Sequence, residues 1–230
     1  QEEKKQVLMV EGGPGTGKSV LAVNLLVNLT AEGIASQYVT KNSAPRAVYS
    51  VKLSGSYKKS YINNLFVGSG SFIDTLPDTL GALIVDEAHR LNMKSGMFSN
   101  LGENQIKEII KTARFSVFFV DDCQRIHMRD IGSVQYIKLC AEEMGAVVHL
   151  EHLSSQFRCN GSDGYLSWLD NALQIRETAN IRLTKEDYDF RIYDSPTEMF
   201  EEIKRKNQTN NKSRSLDRKS GSAGMPRPIS

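Results

Sequence analysis

Apolar residues recur along the chain in short blocks: Gln6 to Val10, Gln37 to Val39, Ala82 to Val85, Phe115 to Val120 and Val147 to Leu150. Each block is too short for a helix and largely lacks the polar alternation of a half-exposed strand, so each predicts a strand buried on both faces. Between them the apolar positions follow a helical spacing over Lys18 to Glu32, Glu103 to Ala113 and Val134 to Met144, and Gly33 suits the end of the first of these helices. Buried strands alternating with helices predict an α/β fold with a mainly parallel sheet and helices on both faces.

The pattern changes after Asn160. A helix is expected around Tyr165 to Leu173, then a strand at Phe190 to Tyr193, then a helix from the capping tetrapeptide Ser195-Pro196-Thr197-Glu198 to about Lys206. One strand and one helix cannot bury a core of their own. The expected organisation is therefore a first lobe over residues 1–176, the beginning of a second α/β lobe over 177–206, and a basic tail over 207–230 too poor in apolar residues to repay the entropy of ordering. A first residue other than Met, Gln1, so close to the first strand predicts a piece of a longer protein.

Composition narrows the class. The chain has 230 residues, 40% hydrophobic and 24% charged, enough for one good-sized core. No apolar run approaches the ~18 residues of a membrane span, and the charged start, Glu2 to Lys5, is unlike a secretory signal. No membrane contact is expected, and the setting should be cytoplasmic, or nuclear in a eukaryote. Cys123, Cys140 and Cys159 are widely spaced and read as reduced thiols. His149 and His152 have no cysteine pair at zinc-site spacing and predict no zinc site. The net charge of +2 hides an asymmetry, because residues 204–230 hold eight Lys and Arg against Asp217 alone. The remainder is net acidic, so a nucleic-acid site on the body must be a local basic patch.

Four segments carry chemistry. Gly12-Gly13-Pro14-Gly15-Thr16-Gly17-Lys18-Ser19 follows a predicted strand and opens a predicted helix, the setting of a P-loop. Its glycines turn backbone N–H groups toward phosphates, Lys18 reaches the β- and γ-phosphates, and Ser19 ligates Mg²⁺. ATP and Mg²⁺ are the expected cofactors. The strand Leu83-Ile84-Val85 ends in Asp86-Glu87-Ala88-His89, 68 residues after Lys18. An acidic pair there can also serve a helix N-terminus; beside a P-loop, Asp86 is read as holding Mg²⁺ through water and Glu87 as polarising the attacking water. A third strand delivers Asp121-Asp122-Cys123-Gln124, where Gln124 can report whether the γ-phosphate is intact, the alternative being a plain polar loop. Leu153 to Arg158 follows the last strand of the lobe, and Arg158 is the candidate arginine finger, the alternative being a surface ion pair.

In this order the motifs resemble motifs I, II, III and IV of superfamily 1 helicases, which implies a RecA-like P-loop NTPase fold. Glu11 to Ser19 taken with Ser155-Gln156-Phe157-Arg158-Cys159-Asn160-Gly161-Ser162-Asp163 is similar to the bacterial DNA/RNA helicase-like family related to Schlafen helicase domains. The resemblance spans about residues 6 to 206 and implies nucleic-acid-stimulated ATP hydrolysis, with Lys18, Ser19, Asp86, Glu87, Gln124 and Arg158 in the roles just given. It implies a single-stranded or duplex nucleic acid as partner, engaged by the full-length protein. Thr40-Lys41-Asn42 falls where it implies motif Ia, and Tyr57-Lys58-Lys59 interleaves aromatic and basic side chains suited to a strand of nucleic acid or to a solvated loop. Motifs V and VI have no counterpart after Lys206, so unwinding by this chain alone is not expected. A nucleotide-dependent switch acting on a protein partner is the alternative function; a small-molecule kinase is disfavoured by Glu87 and Gln124.

Overall fold

The computed structural model describes residues 4–53, 58–96, 98–154, 163–175, 177–179, 181–182 and 189–209. It divides into two compact units, Gln1–Asp163 and Gly164–Ser230.

The first unit is built on six strands: β1 (Gln6–Gly12), β2 (Ser36–Thr40), β3 (Phe66–Val67), β4 (Leu80–Asp86), β5 (Ala113–Val120) and β6 (Val147–Leu153). They form one sheet in the order β3-β2-β4-β5-β1-β6, and every pairing is parallel. Its helices are α1 (Lys18–Ala31), α2 (Ser43–Leu53), α3 (Lys59–Leu65), α4 (Gln105–Thr112) and α5 (Val134–Glu143). The fold is α/β, as the alternation of blocks predicts, and RecA-like, as the resemblance implies.

Parallel strands place alternate side chains on opposite faces, and the two cores follow that parity. Val7, Met9, Leu83, Val85, Phe118 and Val120 face α4 and α5, whose Ile106, Ile109, Ile110 and Ile137 are fully buried against them. Val10, Tyr38, Ile84, Val117 and Phe119 face Ala22 and Leu26 of α1 and Ile62 of α3. Both faces of β4 and β5 are thus covered, which is why their sequences read as unbroken apolar blocks.

Most boundaries fall within two or three residues of expectation. Helix α4 starts two residues late because Asn104, in an extended conformation, caps it by accepting from the N–H groups of Ile106 and Lys107 at 3.0 and 3.4 Å. Helices α2 and α3 and the short β3 were not anticipated.

The second unit contains α6 (Asp163–Ala172) and α7 (Pro196–Thr209). Helix α7 opens at the expected proline, with Ser195 Oγ accepting from the Thr197 N–H at 3.2 Å. Residues 190–193, expected as a strand, have no regular secondary structure. An isolated strand leaves its backbone groups unpaired, and no partner strand exists among the described residues of this unit. Phe190 instead packs on Trp168 with ring centroids 5.2 Å apart. Of the predicted tail, residues 210–230 lie outside the described residues. No helix among the described residues is long and apolar enough to cross a membrane.

Candidate functional site

The interior strands β1, β4 and β5 end side by side, and the chemistry-bearing segments leave from those ends. After β1 the chain turns through Gly15 and Gly17, both left-handed at φ 83° and 88°, a conformation that favours glycine. Gly17 is the residue that caps α1, and among the described residues no side chain caps that helix. Its N–H groups are left facing the loop, the arrangement that receives an anion. Lys18 is only 7% exposed. Its ammonium donates to the carbonyls of Gly12 and Gly13 at 2.6 and 2.8 Å and lies 3.6 Å from Asp121 Oδ2.

At the end of β4, Asp86 is buried and its carboxylate is held by three donors. Oδ2 accepts from Ser19 Oγ at 2.7 Å and from the Tyr38 hydroxyl at 2.5 Å, and Oδ1 accepts from the Glu87 N–H at 3.0 Å. Glu87 itself adopts a left-handed backbone at φ 55°, unusual for a residue with a Cβ. This turn aims its side chain into an open cleft of ≈ 280 Å³ that is also lined by Gly15, Lys18, Ser19 and Gln124. One cavity therefore gathers residues from all three strand ends.

The third strand end is tied to the second through His89, which is fully buried. The Asp121 N–H donates to His89 Nδ1 at 3.3 Å, so a neutral ring carries its proton on Nε2. That nitrogen sits 3.2 Å from Glu87 Oε2, close but off the axis of a full hydrogen bond. The interaction with His89 holds the Glu87 carboxyl below its ordinary range; Lys18 and Arg90 act in the same direction, against burial. Gln124 donates to Asp121 Oδ2 at 2.8 Å from a single 3-10 turn. Behind these contacts the Ile131 N–H donates to the Leu91 carbonyl at 2.8 Å, and Gly132 lies so close to Ala88 that an added Cβ would stand 1.8 Å from its carbonyl oxygen.

Asp86 and Ser19 offer a carboxylate and a hydroxyl, hard oxygen donors of the kind Mg²⁺ takes. Asp86 is 4% exposed and has no cationic partner among the described residues, so a divalent cation suits it.

The expected nucleic-acid residues are placed differently from one another. Thr40 is buried, with its hydroxyl facing no hydrogen-bond partner among the described residues. The Lys41 ammonium donates to Asn92 Oδ1 at 2.9 Å and lies 3.5 Å from Asp130, and burial lowers its pKa. Asn42 is half-buried, and Lys58 and Lys59 are exposed at the start of α3. Tyr57, Gln156 and Arg158 lie outside the described residues. Three functional candidates were missed in the sequence: His89, Asp121 as the shared acceptor, and Tyr38. His89 stood in the Asp86-Glu87-Ala88-His89 run, whereas an aromatic residue inside a strand gives no signal.

Over residues 5–217 the chain matches the family described as Schlafen group 3, DNA/RNA helicase domain. The chain belongs to this family. No curated protein matches it. As a Schlafen group 3 helicase domain, it carries a helicase-related, nucleotide-binding type of fold, and the cleft at the ends of β1, β4 and β5 is lined by Pro14, Gly15, Gly17, Lys18 and Ser19 of the glycine-rich segment.

Proposed function

We propose that this domain binds and hydrolyses ATP with Mg²⁺ as the first lobe of a superfamily 1 type DNA/RNA helicase or translocase. The observation that carries the reading is the shared cleft, in which Lys18, Ser19, Glu87 and Gln124 converge from three strand ends. Lys18 exchanges the carbonyls of Gly12 and Gly13 for phosphate oxygens, and the uncapped first turn of α1 receives the rest of the phosphate chain. Ser19 and Asp86 hold Mg²⁺, which when bound neutralises charge on the transferred phosphoryl group. Glu87, kept ionised by His89, accepts the proton of the attacking water. Gln124 orients that water and leaves Asp121 as it does so.

The nucleic-acid side of the reading draws on the loops that follow β4 and β5. Phe98 and Met128 are almost fully exposed there, beside exposed Lys94, Arg125 and Arg129, and Arg129 donates to Ser99 across the two loops at 3.4 Å. Aromatic and basic groups in this mixture suit a single strand, through stacking and phosphate attraction.

The test is ATP binding by calorimetry and turnover with and without single-stranded DNA and RNA. Binding is expected, with turnover that rises when nucleic acid is added. Glu87→Gln should retain binding and lose hydrolysis. Absence of ATP binding sinks the reading, and turnover indifferent to nucleic acid favours the switch acting on a protein partner.

A further inference from the structure

The Tyr38 hydroxyl is a buried polar group that the scheme above leaves unused. Tyr38 is fully buried in β2, its ring packed edge-on to Tyr49 at 5.8 Å and tilted on Phe66 at 5.5 Å. On packing grounds alone a phenylalanine would fill this position. The hydroxyl instead reaches Asp86 Oδ2, the atom that also accepts from Ser19.

An ionised carboxylate presents about four lone-pair positions. Tyr38 and Ser19 fill both on Oδ2, and the Glu87 N–H fills one on Oδ1. A single open position remains, on Oδ1. We propose that Tyr38 is a positioning residue for the divalent cation: with Ser19 it pins Asp86 so that only Oδ1 is free to meet the metal or one of its waters. This rests on the nucleotide and metal reading given above. Removing the hydroxyl frees a lone pair on Oδ2 and lets the carboxylate turn about its own axis. Mg²⁺ demands near-ideal octahedral geometry whereas Ca²⁺ tolerates irregular shells, so the loss of pinning falls harder on Mg²⁺.

The experiment follows the binding of a fluorescent ATP analogue to the chain while Mg²⁺ or Ca²⁺ is titrated, comparing the unaltered protein with Tyr38→Phe. Losing a group that orients a metal ligand typically weakens metal affinity by about 10- to 100-fold. Tyr38→Phe should therefore raise the half-saturating Mg²⁺ concentration about 10-fold or more, raise that for Ca²⁺ less, and leave metal-free binding of the analogue unchanged. A purely structural role would instead weaken metal-free binding and both metals alike. A half-saturating Mg²⁺ concentration within about twofold of the unaltered chain, against the roughly tenfold expected, overturns the proposal. If the unaltered chain shows no metal-dependent binding of the analogue, the nucleotide reading fails first and separately. Should Tyr38→Phe not fold, the unaltered sequence grown with 3-fluorotyrosine carries the test. Tyr38 is the one fully buried tyrosine among the described residues, so a soluble paramagnetic agent broadens its ¹⁹F resonance less than those of the other described tyrosines. That resonance should shift when Mg²⁺ is added to the nucleotide complex, and a resonance that stays in place overturns the assignment.

Discussion

Strands β4 and β6 are both seven residues long and both run parallel to their neighbours, yet they put their polar residues in opposite surroundings. Strand β4 lies between β2 and β5 and buries its last five residues, ending in Asp86. Among the described residues strand β6 is an edge strand paired to β1 alone, and no residue along it is fully buried. Its histidines pair in the open: His152 Nδ1 lies 3.1 Å from Glu11 and His149 Nε2 lies 3.0 Å from Gln6 Oε1. Three residues apart on a strand, the two rings lie on opposite faces and share no ion. At the end of β4, by contrast, Asp86 and His89 are withdrawn from water, where a contact of the same length counts for far more. Position in the sheet, more than residue type, decides whether a polar group is buried or left in solvent.

The largest expected effect tests whether the ends of β4 and β5 form one unit. Gly132→Ala drives a Cβ onto the Ala88 carbonyl at 1.8 Å. Because backbone meets backbone, destabilisation of about 3 kcal/mol or more is expected, read as a fall in calorimetric Tm. An unchanged Tm would mean that the two turns move independently. Next comes the packing contrast itself. Leu83→Ala, at a site with no exposure in β4, should cost about 3 kcal/mol. Leu150→Ala, 44% exposed in β6, should cost less than about 1 kcal/mol. Urea midpoints measure both, and equal losses would erase the distinction.

Lys18→Ala sharpens the comparison from the side of function. It removes the buried ammonium among Gly12, Gly13 and Asp121, and ATP affinity measured by calorimetry should fall about 100-fold or more, equivalent to ~2.7 kcal/mol. Undiminished affinity would remove the P-loop from the account. The smallest effect belongs to the edge: His152→Ala should change stability by less than about 0.5 kcal/mol, since the pair with Glu11 is exposed and screened. A larger loss would show that the edge is more tightly built than its exposure implies.

Much of the interior was legible in the sequence because β4 and β5 are covered on both faces and so had to be written in apolar residues. The turn between β1 and α1 was legible because its glycines are closely spaced, and two of them, Gly15 and Gly17, take the left-handed backbone. Helices α2 and α3 were not: α2 carries Pro45 near its start, which reads as a turn although a first helical turn tolerates it, and α3 has only seven residues. The apolar alternation of Phe190 and Ile192 was read as a strand, but alternation says nothing about whether a partner strand exists. The partners of His89 and Tyr38 were illegible for a related reason. The roles of these two residues come from contacts with Asp121 and Asp86, 32 and 48 residues away along the chain, which only the pairing of strands brings together.

The uncapped start of α1 has one further consequence. A fourteen-residue helix that begins on a left-handed glycine, with no side chain among the described residues closing its first turn, is unfinished as secondary structure. In the proposed function a phosphate group supplies the missing cap, so ligand and helix complete one another. Occupancy then becomes a component of the fold itself: at a ligand concentration of about 100 times Kd, mass action adds ~2.7 kcal/mol to the stability of the loaded domain. A simple melting curve taken across nucleotide concentrations thereby becomes a gauge of how far the loop is filled.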